Sequence, residues 1–125
     1  MDWRKPTTQI LGRFQPWHEG HTALFKRGLE KTGQVIILLR EQDGTDKNPY
    51  DHHERMEMIW KTLVDDEGID PSVFEIMYMP NITHITYGRD VGYKIEQEHF
   101  DKDIEGISAT DIRNGLRKEN TAEDS

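Results

Sequence analysis

The chain has no cysteine among its 125 residues. That removes disulfides as a source of stability and thiolates as nucleophiles or zinc ligands, and it fits a reducing cytoplasm. Positive charge is also scarce. Sixteen Lys and Arg stand against 24 Asp and Glu, a formal net charge of −8. Nucleic-acid affinity rests on neutralising phosphates, so a chain this acidic is a poor binder of nucleic acid, and any phosphate site must gather its few cations locally. No apolar run approaches the ~20 residues that span a bilayer, and residues 1–6 lack the apolar core of a signal peptide. Hydrophobic residues make up 34% of the chain, enough for one core and not for two. A single domain over 1–125 is expected, with residues 1–6 and 119–125 as flexible ends.

What is present alternates. Residues 7–12 read as a first strand. A helix follows, starting near Gly20 to Thr22 and running to about Lys31, with Gly33 placed to cap it. Residues 34–40, Gln-Val-Ile-Ile-Leu-Leu-Arg, form a continuous β-branched run, the pattern of a strand covered on both faces in a parallel sheet. A second helix is expected over residues 51–67, with Met56, Ile59, Trp60, Leu63 and Val64 on one face, Asp51 and Glu54 as a capping box, and Gly68 as its stop. A third strand is expected over 72–79, a short fourth over 82–87, a short helix over 88–98, and a last helix opening at Ser108. This order predicts an α/β fold, a Rossmann-like doubly wound parallel sheet with helices on both faces. Ligands of such sheets lie outside the carboxyl ends of the strands.

At the end of the first strand stands Gly12-Arg13-Phe14-Gln15-Pro16-Trp17-His18-Glu19-Gly20-His21. Two imidazoles three residues apart sit where a strand turns into a helix. A helix N-terminus offers backbone N–H groups and the positive end of the macrodipole, a natural phosphate site. Gly20 lets a phosphate chain approach the backbone, and His18 and His21 add donors without a permanent charge. Zinc is the competing use of the histidines. His18 and His21 have a spacing that a helix could turn toward one ion, and His52-His53 add two more, but adjacent histidines point apart and no HExxH pattern is present.

The second constellation is Gly106-Ile107-Ser108-Ala109-Thr110-Asp111-Ile112-Arg113. Ser108 and Asp111 have capping-box spacing, which alone is a purely structural signal. Thr110 adds a hydroxyl in the first turn, and Arg113 lies about one turn further on, where its guanidinium can grip phosphate oxygens in bidentate fashion.

Together, the two motifs resemble the HxGH nucleotidyltransferase superfamily, whose second signature is an ISxT-x-x-R motif opening a late helix. The lead Gly-Arg-Phe-Gln-Pro, with Asn48-Pro49-Tyr50 and Glu54-Arg55, looks most like the archaeal type of nicotinamide mononucleotide adenylyltransferase. The resemblance covers about residues 8–117. It implies transfer of AMP from ATP to a small phosphorylated acceptor, nicotinamide mononucleotide first, with pyrophosphate leaving. It implies His18, His21 and Arg113 as catalytic residues, and Gly12, Arg13, Phe14, Gly20, Ser108 and Thr110 as nucleotide-binding ones. It also implies a magnesium ion held mainly by the triphosphate, a cytoplasmic enzyme of NAD biosynthesis, and a superfamily in which homo-oligomers are common.

Four further residues are read as acceptor- or base-binding: Trp17, by stacking, Lys47, Arg89 and Asp90. Each has a plainer reading, as a hydrophobic lid for Trp17, a solvated loop lysine for Lys47, and a mutual ion pair for Arg89 and Asp90. Arg55 has two as well, an acceptor-phosphate contact or a salt bridge to Glu54 or Asp51. The chain departs from the archaeal pattern in being shorter between the third strand and the last helix, in the stretch Tyr87-Gly88-Arg89-Asp90, and in Glu105-Gly106-Ile107-Ser108, which is spelled as in cytidylyltransferases. Two alternatives therefore remain: a cytidylyltransferase using CTP and a phosphorylated alcohol or sugar, and a nucleotide-binding module without turnover.

Overall fold

A computed structural model describes residues 1–41, 49–90 and 92–100. Strand β1 (Thr8–Gly12) leads to helix α1 (Glu19–Thr32), then strand β2 (Val35–Arg40), helix α2 (His52–Trp60) and strand β3 (Phe74–Met79). The three strands form one parallel sheet in the order β1-β2-β3, with Thr8 beside Val35, and Val35 beside Phe74. The architecture is α/β and Rossmann-like.

One face of the sheet carries Ile10, Val35, Ile37, Leu39, Phe74 and Ile76, residues of one parity in the strand register. Phe25 of α1 and Ile59 of α2 belong to the same apolar cluster, as does Leu63 of the next turn, so both described helices pack on this face. Phe25, Val35, Ile37, Leu39, Ile59 and Leu63 are wholly buried, and each stabilises the fold by roughly 1.5–3 kcal/mol relative to exposure. Helix α1 approaches the sheet at Gly28, where an added Cβ would lie 3.1 Å from methyl groups of both Thr8 and Val35. The last helix expected from Ser108, which would cover the other face, lies outside the described residues.

The expected caps are largely present. Gly33 ends α1 in a left-handed conformation, φ 80°, its N–H donating to the Leu29 carbonyl. Asp51 caps α2 in a reciprocal box with Glu54. The expected second helix keeps its length but changes pitch. Residues Lys61–Asp66 continue it as a π-helix, closed by the Glu67 N–H on the Thr62 carbonyl, before Gly68 reverses the chain at φ 68°. The N-terminal residues are tied to β2. The Gln34 side-chain amide donates to the carbonyls of Asp2 and Lys5 and to Thr7 Oγ1, and accepts from the Asp2 N–H.

Two expected elements are absent. Residues 82–87 form no strand, and Ile85 and Tyr87 stand 61% and 55% exposed. Their β-branched and aromatic side chains suit a strand, but a strand also needs a neighbour's hydrogen-bond ladder, and this segment joins none among the described residues. The described residues among 88–98 form no helix either. The segment lacks apolar periodicity, and Gly92, at φ 79°, sits in a conformation that a right-handed helix cannot contain. Instead the end of the described chain lies along α1, where Lys31 pairs with Glu96 and Glu98, and the Arg27 guanidinium stands 5.1 Å from the Phe100 ring centre.

Candidate active site

The carboxyl end of β1 builds the site. At Gly12 the chain leaves the sheet, and the Phe14 ring folds back over it so closely that a Cβ there would lie 2.8 Å from a ring carbon. Phe14 holds φ 52°, a left-handed conformation that costs a residue with a side chain of order 1–3 kcal/mol and needs firm surroundings. Those surroundings are aromatic. The ring is 1% exposed, lies 5.0 Å from Trp17 and meets His21 edge-on at 4.8 Å.

His18 is the N-cap of α1, a position more often held by Ser, Thr, Asp or Asn. Its Nδ1 accepts from the Gly20 N–H at 3.1 Å, while Nδ1 of His21 accepts from the His18 N–H at 3.1 Å. The capping box is thus made of two imidazoles, and the rings stack with centres 3.8 Å apart. Because Nδ1 of His21 accepts, the proton of its neutral ring is assigned to Nε2. Burial holds the His21 pKa well below the ordinary histidine value, and the neighbouring His18 pushes it the same way. His21 is therefore a neutral donor at pH 7, in keeping with its Phe14, Trp17 and His18 surroundings.

Gly12, Arg13, Phe14, Trp17, His18, Gly20 and His21 come together as one unit. Arg13 is only 2% exposed. Trp17, read above as a stacking platform, is 7% exposed and 5.4 Å from the His21 ring, with its indole N–H donating to Thr22 Oγ1 at 2.8 Å. It is a wall of the histidine pocket, and its ring is not open to stack on a base. Arg89 and Asp90 lie beyond β3 in an exposed bend, not at the end of a strand; Asp90 closes a turn by accepting from the Gly92 N–H. Lys47, Ser108, Thr110 and Arg113 lie outside the described residues.

Arg55 makes contacts that were not foreseen for it. It is wholly buried and donates to backbone carbonyls, with Nη1 bonded to Arg13 O at 2.7 Å and Arg40 O at 2.9 Å. Gln15, also wholly buried, was not foreseen at all; its amide bonds both the N–H and the carbonyl of Tyr50. The signal for Arg55 was its spacing, since 55, 59 and 63 lie on one helical face and the latter two are core. At the same sheet edge His52 stacks on Tyr78 at 4.2 Å, and the Tyr78 hydroxyl donates to Glu41 at 3.0 Å. Among the described residues, no three His, Asp or Glu side chains are grouped so as to hold a metal ion, so these residues alone make no metal cage.

The family model for cytidylyltransferase-like proteins matches residues 10–100, which includes the whole histidine pocket. The chain belongs to this family. The chain is also similar to several archaeal nicotinamide-nucleotide adenylyltransferases. That of Saccharolobus solfataricus is 42% identical over 73 residues, covering 57% of this chain and 42% of that protein. That of Thermococcus sibiricus is 32% identical over 143 residues, covering 92% and 75%. A crystal structure of a bifunctional NMN adenylyltransferase/ADP ribose pyrophosphatase from Francisella tularensis aligns with 28% identity and a TM-score of 0.56, over 61% of this chain and 22% of that one. A second structure of the Francisella protein is complexed with AMP and a manganese ion. The chain thus spans less than half of the first of these relatives and three quarters of the second.

The difference in length from the Thermococcus protein is partly internal. That alignment runs over 143 positions, but 92% of a 125-residue chain is about 115 residues, so about 28 positions of the relative have no counterpart in this chain. This agrees with the expected shortening. No helix among the described residues is long and apolar enough to cross a membrane.

Proposed function

We propose that the chain transfers AMP from ATP to nicotinamide mononucleotide and releases pyrophosphate. The observation that carries this reading is the imidazole capping box. It sets two stacked imidazoles, the buried His21 neutral, at the positive end of α1, and archaeal relatives of the chain carry this activity in their names. The acceptor's phosphate oxygen attacks the α-phosphorus of ATP, a P–O bond forms, and the bond to the β-phosphate oxygen breaks. The nucleophile is already an anion, so no protein nucleophile or strong base is required. The protein's part is to position the groups and to stabilise charge on the pentavalent phosphorus and the leaving pyrophosphate.

In this reading His18 and His21 donate to the transferred phosphoryl group, and a neutral His21 does so without having to lose a proton. Arg113, Ser108 and Thr110 hold the β- and γ-phosphates. Lys47, Arg89 and Asp90 bind the acceptor or the base. Magnesium comes in with the triphosphate and is held mainly by it. In this reading the chain is a cytoplasmic enzyme of NAD biosynthesis.

The Glu105-Gly106-Ile107-Ser108 spelling and the missing internal positions favour a second reading, a cytidylyltransferase acting on a phosphorylated alcohol or sugar. One assay separates the two: pyrophosphate release with ATP, CTP, GTP and UTP, each against nicotinamide mononucleotide and a set of phosphorylated alcohols. Release with ATP and nicotinamide mononucleotide is the expected result. Release with CTP alone moves the chain to the second reading. Nucleotide binding by calorimetry without release under any combination overturns both in favour of a binding module.

A further inference from the structure

We propose that Arg55 is a positioning residue for nucleotidyl transfer: with Gln15, it fastens the loop before the histidines to the start of α2 and so sets where His18 and His21 stand. The proposal rests on the function proposed above for its kinetic readout, but not for its geometry. The Arg55 guanidinium gathers carbonyls from three elements. Arg13 lies one residue past β1, Arg40 ends β2, and Asp51, whose carbonyl accepts from Nε at 3.4 Å, is the N-cap of α2. The β1–β2 pairing ends at Gly12 and Leu39, so Arg55 takes over where that register stops. Gln15 makes a second tie two residues further on. Its Nε2 donates to the Tyr50 carbonyl at 2.7 Å, and its Oε1 accepts from the Tyr50 N–H at 3.0 Å.

The chemistry of the side chain supports a geometric role. A guanidinium taken wholly out of water loses several kcal/mol of hydration that its partners must restore. Position 55 shares a helical face with Ile59 and Leu63, where an apolar residue would pack without that loss. What an apolar residue cannot do is bond three carbonyls in fixed directions. The planar fork of arginine can, whereas a lysine ammonium pivots on a flexible stem. Residues 13–15 thus have their place fixed by α2 as well as by β1, and the capping histidines follow within a few residues.

The test uses the whole chain with Arg55→Lys and Gln15→Glu. Gln15→Glu keeps an acceptor for the Tyr50 N–H and loses the donor to its carbonyl. Circular dichroism reports folding, pyrophosphate release reports kcat and KM, and side-chain ¹H–¹⁵N spectra report the two imidazoles. Folded Arg55→Lys is expected to lose about 10²-fold in kcat with little change in KM for ATP, and to shift the His21 resonances. A folded variant with lower melting temperature but wild-type kcat and unshifted histidines overturns the proposal, because a merely structural arginine would give that result. Should Arg55→Lys not fold, Gln15→Glu is read in the same way, and a wild-type kcat overturns the clamp. Should the wild-type chain release no pyrophosphate with any acceptor, the proposed function fails. The histidine spectra then decide the clamp alone: a shift upholds it, and unchanged resonances overturn it.

Discussion

The His18 backbone N–H donates to the ring of His21, and the two rings lie stacked 3.8 Å apart. Each histidine therefore has a structural task, with Nδ1 closing the helix cap, and in the proposed function a chemical one as well, as a donor to the phosphoryl group. Burial beside Phe14 and Trp17 keeps His21 neutral, and in the proposed function a neutral donor serves an anionic nucleophile and an anionic leaving group without proton exchange.

His21→Ala separates these tasks. It removes one donor to the transferred phosphoryl group and one side chain of the capping box. The expected loss is about 10²-fold or more in kcat, as for removal of one transition-state donor, together with about 1 kcal/mol of stability from the cap. Steady-state pyrophosphate release and urea unfolding measure the two. A change confined to KM would make His21 a ground-state binder and remove it from the catalytic set.

The pH dependence of stability follows from the same ring. In the folded protein the His21 pKa lies well below its ordinary value, owing first to burial and then to His18. In the unfolded chain it returns to about 6.5. Above that pH both states are neutral at this site and the ring contributes no pH dependence. As the pH falls below about 6.5 the unfolded chain takes up a proton that the folded one refuses, so stability falls until the folded pKa is reached. Melting temperatures from pH 7.5 downward should decline through this window in the wild type, and the decline should be smaller in His21→Phe. Equal slopes in the two proteins would show that His21 is not held neutral.

Gly12 should tolerate no side chain. A Cβ would sit within 2.9 Å of two Phe14 ring carbons, and Phe14 is walled in by Trp17 and His21. Gly12→Ala is expected to lose about 1–3 kcal/mol, the usual range for an overpacked core, and to lose activity as well, because the displaced ring bears on His21. Urea unfolding and pyrophosphate release check both halves, and an alanine variant with native stability would mean that Phe14 has room to move.

Local rules read well wherever the signal was local. The apolar run of β2, the Gly33 cap and the Asp51–Glu54 box all stand as expected, because each depends on residues within one turn or one strand. The start of α1 was placed one to three residues late, because His18 is not a usual capping residue and its cap needs the His21 ring. Residues 82–87 carried strand-forming side chains, but pairing is a property of the sheet and not of the segment. The motif drew attention to the two histidines, which the structure brings together at the start of α1. The ties of Gln15 to Tyr50 and of Arg55 to Arg13 were hidden, because they join positions 35 and 42 residues apart and go to backbone atoms, which leave no trace in residue type.

Trp17 provides the sharpest check on the reading of the pocket. Its indole is 7% exposed and its N–H is committed to Thr22 Oγ1, so it walls the histidine pocket and is not placed to stack on an acceptor. Trp17→Phe keeps an aromatic wall against Phe14 and His21 and removes one buried hydrogen bond. The expected result is about 1 kcal/mol of lost stability, within the ordinary range for such a bond, and a KM for nicotinamide mononucleotide unchanged within about threefold. Urea unfolding and an acceptor titration at saturating ATP measure the pair. A tenfold rise in the acceptor KM with unchanged stability would mean that the ring leaves its pocket to stack on substrate. The Trp17–Thr22 hydrogen bond would then be a resting contact that breaks on binding.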